Sequence, residues 1–163
     1  MPCQSDDDTT ARSAPSRAFS RALDSLATTA PGEATGPRVL VIEDDETLRH
    51  ELRDVLAEHG CTVLEAENGK VALNRLIHEY EAAAEPDLIL LDLRMPVMSG
   101  WEFIAIVKSY IRLARIPIVV TAGQEPNPEA FRHGAVAAFI RKPHRVEQLL
   151  AVVREHTRGR PGQ

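Results

Sequence analysis

Cysteine is nearly absent: Cys3 and Cys61 are the only two. They are too few for a disulfide scaffold and lack metal-ligand spacing, so both are expected to stay reduced. Aromatic residues make up only 4% of the chain, so aliphatic side chains must build the core. Basic surplus is also missing. Lys and Arg number 19 against 24 Asp and Glu, a formal net charge of -5. Nucleic-acid affinity rests on clustered Lys and Arg, so no nucleic-acid partner is expected. No apolar run approaches a membrane span, and the N-terminal stretch has no signal-peptide core. The expectation is a cytoplasmic protein with no membrane partner. Finally, no Gly-rich loop follows the first apolar run. The turn there reads Glu43-Asp44-Asp45, which would repel a phosphate in the absence of a metal.

What is there falls into two parts. Residues 1–36 are mostly Ser, Thr, Ala, Pro, Asp and Arg, with the acidic run Asp6-Asp7-Asp8, and are expected to form a disordered N-terminal tail. Phe19, Leu23 and Leu26 fall at i, i+4 and i+7, which allows a short amphipathic helix within it. Pro31-Gly32 and Gly36-Pro37 mark a linker. From there to residue 156 the hydrophobic pattern alternates, and residues 157–163 form a short C-terminal tail. The short apolar runs Val39–Ile42, Thr62–Ala66, Leu88–Leu91, Ile116–Val120 and Ala137–Ile140 read as buried strands. Between and after them lie helical stripes. These are Leu48, Leu52, Val55 and Leu56; Ala72, Leu73, Leu76, Ile77 and Tyr80; Phe103, Ile104, Val107 and Ile111; and Val146, Leu149, Leu150 and Val153. Continuous apolar strands alternating with helices predict an α/β fold, a five-stranded parallel sheet with helices on both faces. Residues 122–134 break the pattern. Pro126 and Pro128 stand there, and an interior Pro costs a helix about 3 kcal/mol, so a single turn or a loop is expected.

The ends of the strands carry the chemistry. The first runs into Glu43-Asp44-Asp45, the third into Asp92, the fourth into Thr121 and the fifth into Arg141-Lys142-Pro143. In an open parallel sheet all of these lie on one edge, where ligands bind. An acid after a strand is usually a helix cap, and a lysine there is usually solvated. Acids, a hydroxyl and a lysine together make a charge-complete site. Clustered carboxylates repel one another, and a divalent cation relieves the repulsion. An all-oxygen set suits Mg²⁺, whose shell is completed by water and phosphate oxygens. Lys and Thr are suitable partners for a phosphoryl group. An Asp carboxylate can attack phosphorus and form an acyl phosphate.

The runs VLVIEDD and LLDLRMPVMSGWE, with the pairs Thr121-Ala122 and Lys142-Pro143, resemble the receiver domain of two-component response regulators. They occur in the family's order and cover residues 38 to 155. The resemblance implies a flavodoxin-like sheet of strand order 2-1-3-4-5. It implies that Asp92 accepts the phosphoryl group, while Thr121 and Lys142 bind it. It assigns the Mg²⁺ site to Glu43 through water, to Asp44, to Asp92 and to the backbone carbonyl of Arg94. Asp45, one place beyond the acidic pair, is read as a helix cap. Phe139 matches an aromatic switch position where the family often carries Tyr. The Arg94 side chain is left between reaching the phosphoryl, excluding water and being plain surface. The implied partners are a histidine kinase or phosphotransfer protein as donor and an unknown downstream protein. The chain itself is expected as a monomer or weak dimer. The reading is a stand-alone signalling domain that assists its own phosphorylation and dephosphorylation, not a metabolic enzyme. Gly123 and Arg94 are candidates for setting the lifetime of the phosphorylated state.

Two departures stand out. The segment between Thr121 and Gly134 is short and proline-bearing where the family has its fourth helix, and Gly134–Ala138 holds one extra residue. Two other readings compete with this one. A haloacid-dehalogenase-type phosphatase would need an acid two residues after the nucleophile, and Arg94 stands there. A receiver fold that binds partners without phosphorylation is the other.

Overall fold

The computed structural model describes residues 36–125 and 134–157. The chain divides into two units, Met1–Glu33 and Ala34–Gln163, and the described residues all lie in the second. The expected tail, with its Phe19 helix, falls outside the described residues, as do 126–133 and 158–163.

Each apolar run forms a strand and each stripe a helix. The order is β1 (Arg38–Ile42), α1 (Glu46–Glu58), β2 (Thr62–Ala66), α2 (Gly69–Glu81), β3 (Leu88–Asp92), α3 (Gly100–Ser109), a 3-10 turn (Leu113–Arg115), β4 (Ile118–Ala122), β5 (Ala138–Arg141) and α4 (Val146–Thr157). The strands form one parallel sheet in the order β2-β1-β3-β4-β5. The fold is thus the one expected, and the order reverses beside β1.

Alternate strand residues point to opposite faces, so the sheet has two cores. Leu40, Ile42, Ile89, Leu91 and Val120 meet Ala72 and Leu76 of α2 and Phe103, Ile104 and Val107 of α3. Val39, Val41, Leu88, Leu90 and Val119 meet Leu52 and Leu56 of α1 and Leu149, Leu150 and Val153 of α4. Each such side chain contributes about 1.5–3 kcal/mol when fully buried. The middle strands β3 and β4 are buried at every position, which makes them rigid supports for whatever follows them.

Several expectations need correction. β4 begins at Ile118 and not at Ile116, because Ile116 closes the 3-10 turn and Pro117 follows it. β3 runs through Asp92 and β4 through Thr121, so both are strand residues and lie side by side in register. Ile77 and Tyr80 of the α2 stripe are 54% and 41% exposed. Ile77 lies one residue past buried Leu76 and is rotated off the sheet face. Ile111 is 87% exposed because α3 ends at Ser109 and the chain turns extended at Tyr110. Val146, at the start of α4, is also exposed.

The helix starts are set by caps. The Asp45, Asn68 and Ser99 side chains accept from the Leu48, Val71 and Glu102 N–H groups. Asp45 therefore has the capping role expected of it. Glu102 completes a capping box with Ser99, and the Ser99 N–H and hydroxyl hold its carboxyl below the usual range. After the C-cap Ala82 of α2, Ala83 stands at φ 53, with the Ala84 N–H reaching back to the Glu79 carbonyl.

Candidate functional site

The C-terminal edge of the sheet gathers the residues singled out above. Glu43 follows β1, Asp92 ends β3, Thr121 is beside it in β4, and Lys142 follows β5. Glu43, Asp92 and Thr121 are 2%, 6% and 1% exposed, and Asp44 is exposed. Glu43, Asp44 and Asp92 each offer a carboxylate oxygen within 4.8 Å of the others. Three hard oxygen donors with room on the solvent side at Asp44 suit Mg²⁺, which keeps part of its water shell.

Lys142 joins the two buried acids. Its Nζ donates to Glu43 Oε2 at 2.7 Å and to Asp92 Oδ2 at 2.9 Å. Burial pushes the Glu43 carboxyl above its usual range, and the Asp92 charge adds to this against the pull of Lys142. Burial works to lower the Lys142 ammonium, but the hydrogen bonds and charges of the two acids outweigh it and hold it above its usual value. The lysine is therefore firmly charged. It follows β5 directly and is tied to the end of β4, its backbone N–H donating to the Ala122 carbonyl at 2.9 Å.

Asp92 has a second anchor. Its Oδ1 accepts from the Arg94 N–H at 3.1 Å. The Arg94 side chain is exposed, and its Nη2 lies 3.4 Å from where a Cβ on Gly123 would stand. The guanidinium thus crosses from the β3 end to the β4 end, over a residue with no side chain to meet it. Thr121 Oγ1 donates to the Leu91 carbonyl at 3.4 Å, a long bond that leaves the hydroxyl little tied. Phe139, in register with Val120, is half-buried against the α2–α3 core.

The loop after Asp92 is tightly folded. The Met98 N–H donates to the Pro96 carbonyl at 2.8 Å, with Val97 at φ 71 between them. This is a γ-turn, and a β-branched residue is strained there. The Gly100 N–H then returns to the Leu93 carbonyl at 3.0 Å. A Cβ on Gly100 would stand 2.7 Å from the Asp92 carbonyl oxygen, so α3 starts against the backbone that carries Asp92.

Two features at this edge escaped the sequence reading. Arg49 of α1 donates through Nη1 to the Glu43 carbonyl at 2.8 Å. A signal existed: a cation in the first turns of a helix opposes the helix dipole and so invites another explanation. His144 lies in a groove of about 360 Å³ between α1 and α4. Its Nδ1 is buried without a partner. Burial lowers its pKa, the Lys142 charge lowers it further, and Glu51 opposes both.

Comparison with known proteins agrees with this geometry. Residues 39–154 match the family model described as "Response regulator receiver domain". The polar-differentiation response regulator DivK of Brucella anthropi is 32% identical over 120 residues, covering 72% of this chain and 94% of that protein. Sensor histidine kinase CheAY of Helicobacter pylori is 32% identical over 118 residues, 71% of this chain but only 14% of the kinase. Chemotaxis protein CheY4 of Vibrio cholerae superposes with a TM-score of 0.64 at 27% identity, covering 74% of this chain and 98% of that one. Among the described residues, no helix is long and apolar enough to cross a membrane.

Proposed function

Because the chain belongs to the response regulator receiver domain family, we propose that it is a phosphoacceptor switch whose Asp92 takes a phosphoryl group from a phosphohistidine. The donor would be a histidine kinase or phosphotransfer protein. The observation that carries this reading is Lys142 bridging Glu43 and Asp92, at 2.7 and 2.9 Å, on the edge where Thr121 also ends. That one relative is a response regulator and another aligns within a sensor histidine kinase supports the class of donor.

Glu43, Asp44 and Asp92 would hold Mg²⁺, with the Arg94 carbonyl as a further oxygen. When bound, the cation neutralises the acids and draws charge from the phosphoryl oxygens. One Asp92 carboxylate oxygen attacks phosphorus. The P–N bond to the donor imidazole breaks, and the imidazole leaves with the electron pair. β3 aims the nucleophile and the Arg94 N–H fixes its carboxylate plane. Lys142 exchanges its contact with Asp92 for a phosphoryl oxygen. The Thr121 hydroxyl leaves the Leu91 carbonyl for another. That displacement, with Phe139 following, biases a partner-binding surface between two states. Hydrolysis of the acyl phosphate resets it. The role is signalling, with the domain assisting its own phosphorylation and dephosphorylation.

Incubation with Mg²⁺ and a small acyl-phosphate or phosphoramidate donor tests the reading by intact mass. The wild type should gain one phosphoryl group, Asp92→Asn none, and Asp44→Ala should lose the Mg²⁺ dependence. Labelling that persists in Asp92→Asn contradicts it.

A further inference from the structure

The loop from Glu43 to Asp45 joins β1 to α1 and carries two of the acids. Their aim depends on the Glu43–Asp44 peptide plane, because turning that plane swings the Asp44 side chain. The backbone is held on both sides of Glu43. On the sheet side, the Glu43 N–H, which belongs to the preceding peptide, donates to the Ala66 carbonyl at 3.1 Å. On the helix side, Arg49 Nη1 donates to the Glu43 carbonyl at 2.8 Å. Arg49 is itself held, its Nε lying 3.7 Å from Glu65 Oε1, and its side chain is only 12% exposed. Glu65 is in register with Val41, which places it on the α1 side of the sheet. The neighbour Arg53 provides a contrast. It also pairs with Glu65, at 3.5 Å, and with Asp54, but its side chain is 38% exposed.

A cation so near the start of α1 is opposed by the helix dipole, and its removal would ordinarily favour the helix slightly. Its bond to the Glu43 carbonyl acts the other way. We propose that Arg49 is a positioning residue for the metal site: clamped by Glu65, it locks the Glu43–Asp44 peptide so that both acids face the cation. This deepens the phosphoacceptor reading and rests on it. Arg49 touches neither phosphoryl group nor metal in this scheme. It acts through the backbone of the residues that do.

The test uses the full chain and Mn²⁺ alone, followed by the electron spin resonance of the free ion. Partners that orient metal ligands typically change affinity by about 10–100-fold when removed. Arg49→Ala should weaken Mn²⁺ binding at the lower end of that range, about tenfold. Arg53→Ala, which removes the other arginine on Glu65, should stay within about twofold. A second readout needs no metal. The Leu48 N–H, bonded to the Asp45 side chain at 3.0 Å, should exchange with solvent faster in Arg49→Ala and unchanged in Arg53→Ala. Equal Mn²⁺ affinity and exchange in wild type and Arg49→Ala would overturn the proposal. So would an Arg53→Ala loss as large as that of Arg49→Ala, since the effect would then belong to the Glu65 cluster. If the wild type bound no Mn²⁺, the phosphoacceptor reading would fail, while the exchange comparison would still decide the role of Arg49.

Discussion

The two edges of the sheet are made of different materials. Near the edge where the middle strands begin stand Val39, Leu88 and Ile118, all fully buried. Where they end stand Glu43, Asp92 and Thr121, and among the described residues these three are the buried polar or charged ones. A buried ion pair is a weak source of stability, because desolvation offsets its attraction. Apolar residues at those three places would serve the fold at least as well. Among the described residues, then, the core is apolar except at the proposed site. The apolar edge supplies the stability that the other edge forgoes.

The largest expected effect comes from removing the cation between the acids. Lys142→Met leaves Glu43 and Asp92 buried and unpaired. At neutral pH it should cost about 2–4 kcal/mol in urea unfolding, somewhat below the usual loss for a fully buried pair because the lysine is partly exposed. Adding Glu43→Gln to that variant should recover part of the loss. A cost near zero would mean the polar edge is no more demanding than the apolar one.

Next is the close approach at the start of α3. Gly100→Ala brings a methyl group against the Asp92 carbonyl oxygen and the Leu93 Cα, at 2.7 and 2.8 Å before relaxation. Both are backbone atoms and give little, so about 1–3 kcal/mol should be lost. Phosphoryl uptake should slow as well, because the backbone carrying Asp92 must shift. Normal stability would show that the loop yields freely.

The smallest effects set the two edges side by side. Val97, at φ 71, lies in the loop after Asp92, and Ala83, at φ 53, lies at the far edge after α2. Each pays conformational strain that Gly does not, so Val97→Gly and Ala83→Gly should each raise stability by about 0.5–1 kcal/mol. Only Val97→Gly should alter the rate of phosphoryl uptake. If both left it unchanged, the strain in the γ-turn would have no part in the site.

Much of this was legible in the sequence because it is written in local patterns. Strand runs such as Leu88–Leu91 and stripes such as Ala72 with Leu76 carried the fold. The residues after each run carried the site: Glu43, Asp44, Asp92, Thr121 and Lys142 converge at one edge. Other features depend on where an element stops. Ile111 reads as part of a stripe until α3 is seen to end at Ser109. Ile77 falls at helical spacing from Leu73, yet half its surface is exposed. Arg49 was illegible for another reason. Its partner is a backbone carbonyl, and any residue at position 43 would offer the same one. The Arg94 side chain, unassigned from sequence, is now placed over Gly123. The expectation of a single turn or loop near Pro128 lies outside the described residues.

The central claim is that Asp92 is the nucleophile. Borohydride reduction of an aspartyl phosphate leaves homoserine, which peptide mass mapping locates in the chain. After incubation with donor and Mg²⁺, this change should appear at position 92 and at no other acid, and should not appear when Mg²⁺ is withheld. A change at Asp44 or Asp45, or none with any small donor or histidine kinase, would contradict it.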